Sequence, residues 1–195
     1  MFKTRLLQLL IKISPVFDWL SGPSLAQAIW RRLLDTRLLT DEELAAARAV
    51  LGSAALQYDR VRVCSGGFLE YIFERNASRA FTTFHTLNLP QGTKLEIVVH
   101  ELAHVCQYER VGTRYMFEAL LAQIELGGEA YNYGGAKGLL EDFRAQKHYA
   151  AFNREQQAQI IQDYYRWKFE AKGQLDEEQS QAYQAYLGDL LSGRV

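Results

Sequence analysis

One stretch constrains this chain more than any other: Val98-Val99-His100-Glu101-Leu102-Ala103-His104-Val105. The run from Leu95 to Val99 leads into it, and Val105 and Cys106 follow, so the segment predicts a buried helix. Positions four apart share one face of a helix, which aims His100 and His104 at a single point. Two imidazoles on one rigid helix supply two corners of a tetrahedral metal site, and zinc suits them. Glu101 stands one residue round, where it reaches a metal-activated water as a general base. The plainer alternative is a buried helix whose histidines pair with carbonyls or water. Two imidazoles and a carboxylate are costly in an apolar interior unless partnered, and HExxH in this setting is a specific metal signal.

A zinc ion with an open position takes three protein ligands, so a third is expected downstream. The metzincin pattern places a glycine and then a histidine soon after the second histidine; here Tyr108-Glu109-Arg110 follows, which excludes that class. The remaining candidates are Glu118, Glu125, Glu129, Glu141, His148 and Glu155. Glu155 opens a helix behind Asn153, and the small Ala158 lets that helix approach the metal helix closely. Glu118 is the alternative, set in the apolar run Phe117 to Ala122 on the next helix, with His148 behind both. Each has a reading without metal: a helix N-terminus favours Glu155 for its own reasons, and Glu118 fits a solvated position. Tyr131 and Tyr133 are candidate donors to a transition-state oxyanion. Cys106 lies two residues past His104, on another face, and is a poor ligand.

A chain of 195 residues suffices for one domain with a real core and a helical appendage. Its formal net charge of -1 implies neither a nucleic-acid nor an anionic-membrane partner. Two cysteines, Cys64 and Cys106, are too few for a disulfide framework and are expected buried and reduced, as in a cytoplasmic protein. Export by a non-classical route is the alternative. Phe2 to Ile13 is basic and leucine-rich like the start of a signal peptide, yet Gln8 and Lys12 interrupt it and no small-x-small cleavage site follows cleanly. No apolar run reaches bilayer length. Phe2 to Leu20 predicts an amphipathic helix packed on the domain, with membrane-surface contact as the lesser reading.

In chain order, Ser24 is expected to cap a second helix, and Thr40 with Glu43 forms a capping box for a third that stops at Gly52. Tyr58 to Val63 alternates as a half-buried strand. Phe68 to Phe73 fits strand or helix. Arg79 to Pro90 reads as a strand interrupted near His85, and its terminal proline suggests a sheet edge. In zinc peptidases an edge strand before the HExxH helix commonly pairs with substrate backbone; a plain core strand is the other reading. The metal helix is expected over Lys94 to Arg110, a second over Arg114 to Leu126, a loop over Glu129 to Gly138, and a helix over Leu139 to Tyr149. Asn153 caps a long helix ending near Gly173, and Asp176 caps a last one ending near Ser192. The sum is an α+β fold, mostly α, with a short sheet before the metal helix. Its parts are an N-terminal helical extension (1–38), a central domain (39–173) and a C-terminal helix (174–195).

Several of these segments together resemble a family. They are Leu39 to Glu43, Tyr58 to Val63, Arg79 to Thr82, the HELAHV-x-Q core with Gln107, Ala130 to Tyr133, and Phe152 to Ala158. The pattern is similar to the small gluzincin-type metallopeptidase domains associated with phage-tail-like injection machinery and secreted toxins. That resemblance implies a zincin-like fold, zinc as cofactor, a Glu ligand on a second helix in the setting of Glu155, and a peptide or protein substrate. A zinc-binding module without turnover, structural or effector-loading, is the competing expectation. A fourth protein ligand or an occluded site would favour it.

Overall fold

Helix α5, Leu95–Val111, runs through the centre of the molecule. Every residue from Val98 to Gln107 is buried, so this helix needs neighbours on all sides rather than along one stripe. The computed structural model, which describes residues 2–75, 77–170 and 175–195, supplies them. They are α3 (Asp41–Leu51), α6 (Arg114–Leu126), α8 (Arg154–Tyr165), α9 (Glu177–Leu191) and one face of a small sheet. Val63 and Leu87 from the sheet, Val99 and Leu102 from α5, Ile160 and Ile161 from α8, and Leu190 from α9 fill one continuous core. Gly112, at φ 65, ends α5 in a conformation that glycine adopts without steric cost.

The sheet has four short strands: β1 (Thr36–Arg37), β2 (Arg62–Cys64), β3 (Phe81–Thr83) and β4 (Thr86–Asn88). Their order is β1-β2-β4-β3. β2 and β4 are parallel, and the other two pairings are antiparallel. β3 therefore lies at an edge, as the sequence suggested for the Arg79 to Pro90 region. The break near His85 is a tight turn, with Phe84 at φ 57. A bulky residue rarely adopts that conformation. Here it is held by the Phe84 ring packed edge-on to Tyr108, and by the His85 N–H donating to Gln27 Oε1 at 2.9 Å.

Three of the expected caps form. Thr40 and Glu43, Asn153 and Gln156, and Asp176 and Gln179 each make both hydrogen bonds of a capping box, opening α3, α8 and α9. Helix α1, Phe2–Trp19, packs along α6 and contains Pro15. Proline cannot pair with the carbonyl one turn back; the Ser14 hydroxyl donates to that Ile11 carbonyl instead, at 2.9 Å. Asp18 anchors the end of α1 by accepting from the Thr113 N–H and hydroxyl at the start of α6. No helix among the described residues is long and apolar enough to cross a membrane. Cys64 and Cys106 are buried free thiols.

Several boundaries differ from the sequence reading. Tyr58–Arg60 is a 3₁₀ turn, and the strand is only Arg62–Cys64. The alternation was real at Val61 and Val63, but the Tyr58 hydroxyl donates to the Gly52 carbonyl at 2.8 Å and bends the entry. Phe68–Arg75 is helical (α4), with Leu69 and Phe73 buried one turn apart. Helix α2 spans Gly22–Leu33, starting behind Ser21 rather than Ser24, because Pro23 suits a first turn. The expected glycine-rich loop contains a 3₁₀ turn, Gly127–Tyr131, and then the start of α7, Gly135–Arg144. A side chain at Gly138 would meet the Tyr133 carbonyl at 3.2 Å, so this glycine allows a close approach rather than marking a break. Helix α8 passes at Tyr165 into a π-helical turn, Arg166–Glu170; the expected end near Gly173 lies outside the described residues.

Candidate metal centre

The two histidines of α5 meet one carboxylate of α8. The Glu155 Oε2 atom lies 3.4 Å from His100 Nε2 and 3.5 Å from His104 Nε2. Ligand atoms of the three residues all lie within 4.8 Å of one another, and all three residues are buried. The two carboxylate–imidazole separations are too long for good hydrogen bonds. They match the roughly 3.4 Å edge of a tetrahedron whose corners lie about 2.0–2.1 Å from a central ion. Two imidazoles and a carboxylate are also a zinc donor set, so the residues fit the ion on both spacing and chemistry.

Polar side chains behind His104 fix its tautomer. Arg154 can only donate, and backbone carbonyls can only accept. Arg154 donates to Gln157 Oε1 at 3.1 Å, while Gln157 Nε2 donates to the carbonyls of Tyr149 and Phe152. Gln107 Nε2 donates to the Arg154 carbonyl and to Gln157 Oε1, so Gln107 Oε1 is left to accept from His104 Nδ1 at 2.8 Å. With the Nδ1 proton so placed, Nε2 is the nitrogen free for a metal. His100 Nδ1 is buried without a hydrogen-bond partner among the described residues, so the two imidazoles are held unequally. Gln107→Leu is expected to weaken zinc binding about 10–100-fold, the usual range for a group behind a ligand. Competition titration against a chromophoric chelator measures this, and wild-type affinity would remove Gln107 from that role.

Glu101 faces the same space. It is buried, and its Oε2 accepts from the Thr82 hydroxyl on β3 at 2.7 Å. Tyr115 on α6 donates to the Thr82 carbonyl at 3.0 Å and steadies that strand. Burial pushes the Glu101 carboxyl up, against the pull of His104 and His100. Burial also opposes the charge on Glu155, but His104 and His100 outweigh it and hold that carboxyl well below the usual range. Burial alone would lower the His104 imidazole; Glu155 above all raises it, to about 9.

That shift gives two opposite pH trends. In the metal-free protein, the raised histidine contributes its full stability below the ordinary histidine pKa of about 6.5. The contribution is lost as pH rises through about 9. A metal ion held there would have to displace the Nε2 proton, so the apparent affinity for zinc should climb about tenfold per pH unit across the same window. Thermal melts in chelator and zinc titrations over that range check both trends. A flat affinity profile would contradict the paired histidine.

A cleft of about 370 Å³ opens over these groups. His100, Glu101, His104 and Glu155 line its floor, Phe81 to Thr83 of the edge strand one side, and Met116, Ala119 and Leu120 of α6 the other. A second recess shares Arg79, Ala80, His100, Glu101 and Tyr131 with it and continues past Pro90 to Thr93 and Gln159. Tyr131 borders both, with its ring centroid 6.1 Å from that of His100.

The other sequence candidates lie elsewhere. Glu118 sits between Arg114 and Arg154, at 2.7 Å from each, and not in the cluster: those cations claim its carboxylate. His148, Glu125, Glu129 and Glu141 are exposed. Tyr133 points to Asp163 and Tyr183, its hydroxyl 2.6 Å from each, and does not border the cleft. Sequence reasoning gave no role to Gln107, Arg154, Gln157 or Thr82. Gln107, three residues after His104, shares its helix face and was open to discovery; Thr82 had no local signal. No family model matches the chain, and neither any curated protein nor any solved structure matches it.

Proposed function

We propose that this protein is a zinc-dependent hydrolase of peptide bonds. The observation that carries the reading is Glu101. A buried carboxylate, held by Thr82, stands beside a cluster of two imidazoles and a carboxylate that itself borders an open cleft. His100, His104 and Glu155 hold the ion in this reading. A zinc ion so held lowers the pKa of water and polarises a carbonyl.

The rest is the work of the chain's own groups. Among the described residues no strand lies outside β3, and an extended peptide laid along that edge, where the Thr82 carbonyl is already taken by Tyr115, would meet the remaining backbone groups and bring its scissile bond over Glu101. Glu101 takes a proton from the attacking water and gives it to the leaving amine. Tyr131, which borders the cleft beside His100, would donate to the developing oxyanion. Burial raises its phenol to about 12, so it keeps its proton at neutral pH. Tyr133 drops out of this role because it is engaged with Asp163. A metal that served only to brace the fold favours a closed shell of four protein ligands. Ligand side chains bordering a cleft favour turnover.

The test is metal analysis of purified protein supplied with zinc, followed by a mixed peptide library. One zinc per chain and chelator-sensitive cleavage are expected. No bound transition metal would overturn the whole reading; stoichiometric zinc with no cleavage of any peptide would replace it with a binding module.

A further inference from the structure

Helix α1 is apolar on two faces, and only one of them is used. Leu7 and Ser14 are buried and Asp18 holds Thr113, which fixes that face against α6. Leu6, Leu9, Ile13 and Val16, with Leu20 just beyond the helix, recur at spacings of three and four and are 45–65 % exposed. A second stripe therefore runs along the outside of the molecule, held rigid by the first. An outward apolar stripe of this kind marks an interaction site.

The charges say what covers it. Residues 2–33 carry five basic side chains against a single acid, Asp18, although the whole chain nets -1. That acid is turned inward to Thr113, and the exposed charges of α1 are Lys3, Arg5 and Lys12. At 100° per residue, Arg5 and Lys12 flank the outward stripe along one side. A second copy of the chain would bring these cations against their own equivalents, with no outward acid on α1 to answer them. An anionic bilayer surface answers both features: its acyl boundary takes the stripe, and its headgroups take the cations. Trp19, 82 % exposed at the end of α1, is the residue type that settles at such a boundary.

We propose that the outward face of α1 docks on an anionic lipid surface, carrying the rest of the protein with it. The test is flotation of the full chain with phosphatidylcholine vesicles, with and without phosphatidylserine. Binding is expected only with phosphatidylserine, and it should weaken as salt is raised. Arg5→Glu combined with Lys12→Glu should reduce it at least about tenfold. Leu9→Glu combined with Ile13→Glu should abolish it while leaving the thermal melt unchanged, since both side chains are exposed. Trp19 emission should shift to the blue on binding, and the shift should vanish in Trp19→Phe. Equal binding to both vesicle types, no binding to either, or binding indifferent to Leu9 and Ile13 would each overturn the proposal. So would a concentration-dependent dimer, by light scattering, in place of vesicle binding.

Discussion

Glu155→Ala is expected to weaken zinc binding by more than about 100-fold, and Glu118→Ala by no more than about 10–100-fold. Glu155 presents one oxygen to both imidazoles at 3.4 and 3.5 Å, so removing it leaves a two-histidine site. Glu118 reaches the cluster only at a distance. It holds Arg154, which holds Gln157, which meets Gln107 behind His104. Its loss should loosen His104 without taking away a ligand atom. Glu155→Ala also frees the Gln123 amide, which donates to Glu155 Oε1 at 2.8 Å, so circular dichroism must first show that the variant is folded. Wild-type affinity in a folded Glu155→Ala variant would refute the assignment. An equal loss in both variants would mean that His104 orientation, not the third ligand, limits binding.

Glu101→Gln is expected to reduce peptide hydrolysis by about 10²–10⁴-fold, the share a positioned general base commonly supplies, while zinc stays bound. The amide keeps the shape of the carboxylate, and its oxygen can still accept from the Thr82 hydroxyl. It cannot take up the proton. The thermal midpoint should hold or rise, because a buried carboxylate disfavoured by desolvation becomes a neutral group. Cleavage rates on the best library peptide, with zinc content measured on the same samples, decide the matter. Full activity in the zinc-loaded variant would remove Glu101 from the chemistry. Loss of zinc along with activity would make it a structural partner of the histidines.

The legible parts of this fold are those whose signal is local. Helix α5 shows itself by an apolar run ended at Gly112, α6 by its extent between two glycines, and α3, α8 and α9 by capping boxes that need only four residues each. Glu155 was readable because its helix announces itself at Asn153 and because Ala158 permits close packing. What was not readable depends on partners far along the chain. Tyr58 reads as a strand residue until its hydroxyl finds Gly52. Gly134 to Gly138 reads as a loop until the Tyr133 carbonyl needs space beside it. Glu118 was a reasonable ligand in a largely apolar helix; Arg114, one turn back, and Arg154, 36 residues on, take its charge instead. Thr82 touches Glu101 solely because an edge strand is laid against α5.

The candidate ligand set joins helices far apart in the chain. His104 and Glu155 are separated by about fifty residues, and α6 and α7 lie between them. An ion bound by both would tie these helices together in the folded chain, and the unfolded chain, with that length free, has no preformed site for it. Binding to the folded form alone then adds stability in proportion to the logarithm of free metal over its dissociation constant. In a cell, the unfolded fraction is what chaperones and proteases see. If the site is loaded in the cell, the metal supply would therefore set how long each copy survives as well as whether it is charged with metal. A starved cell would keep fewer copies, rather than a standing pool of empty ones.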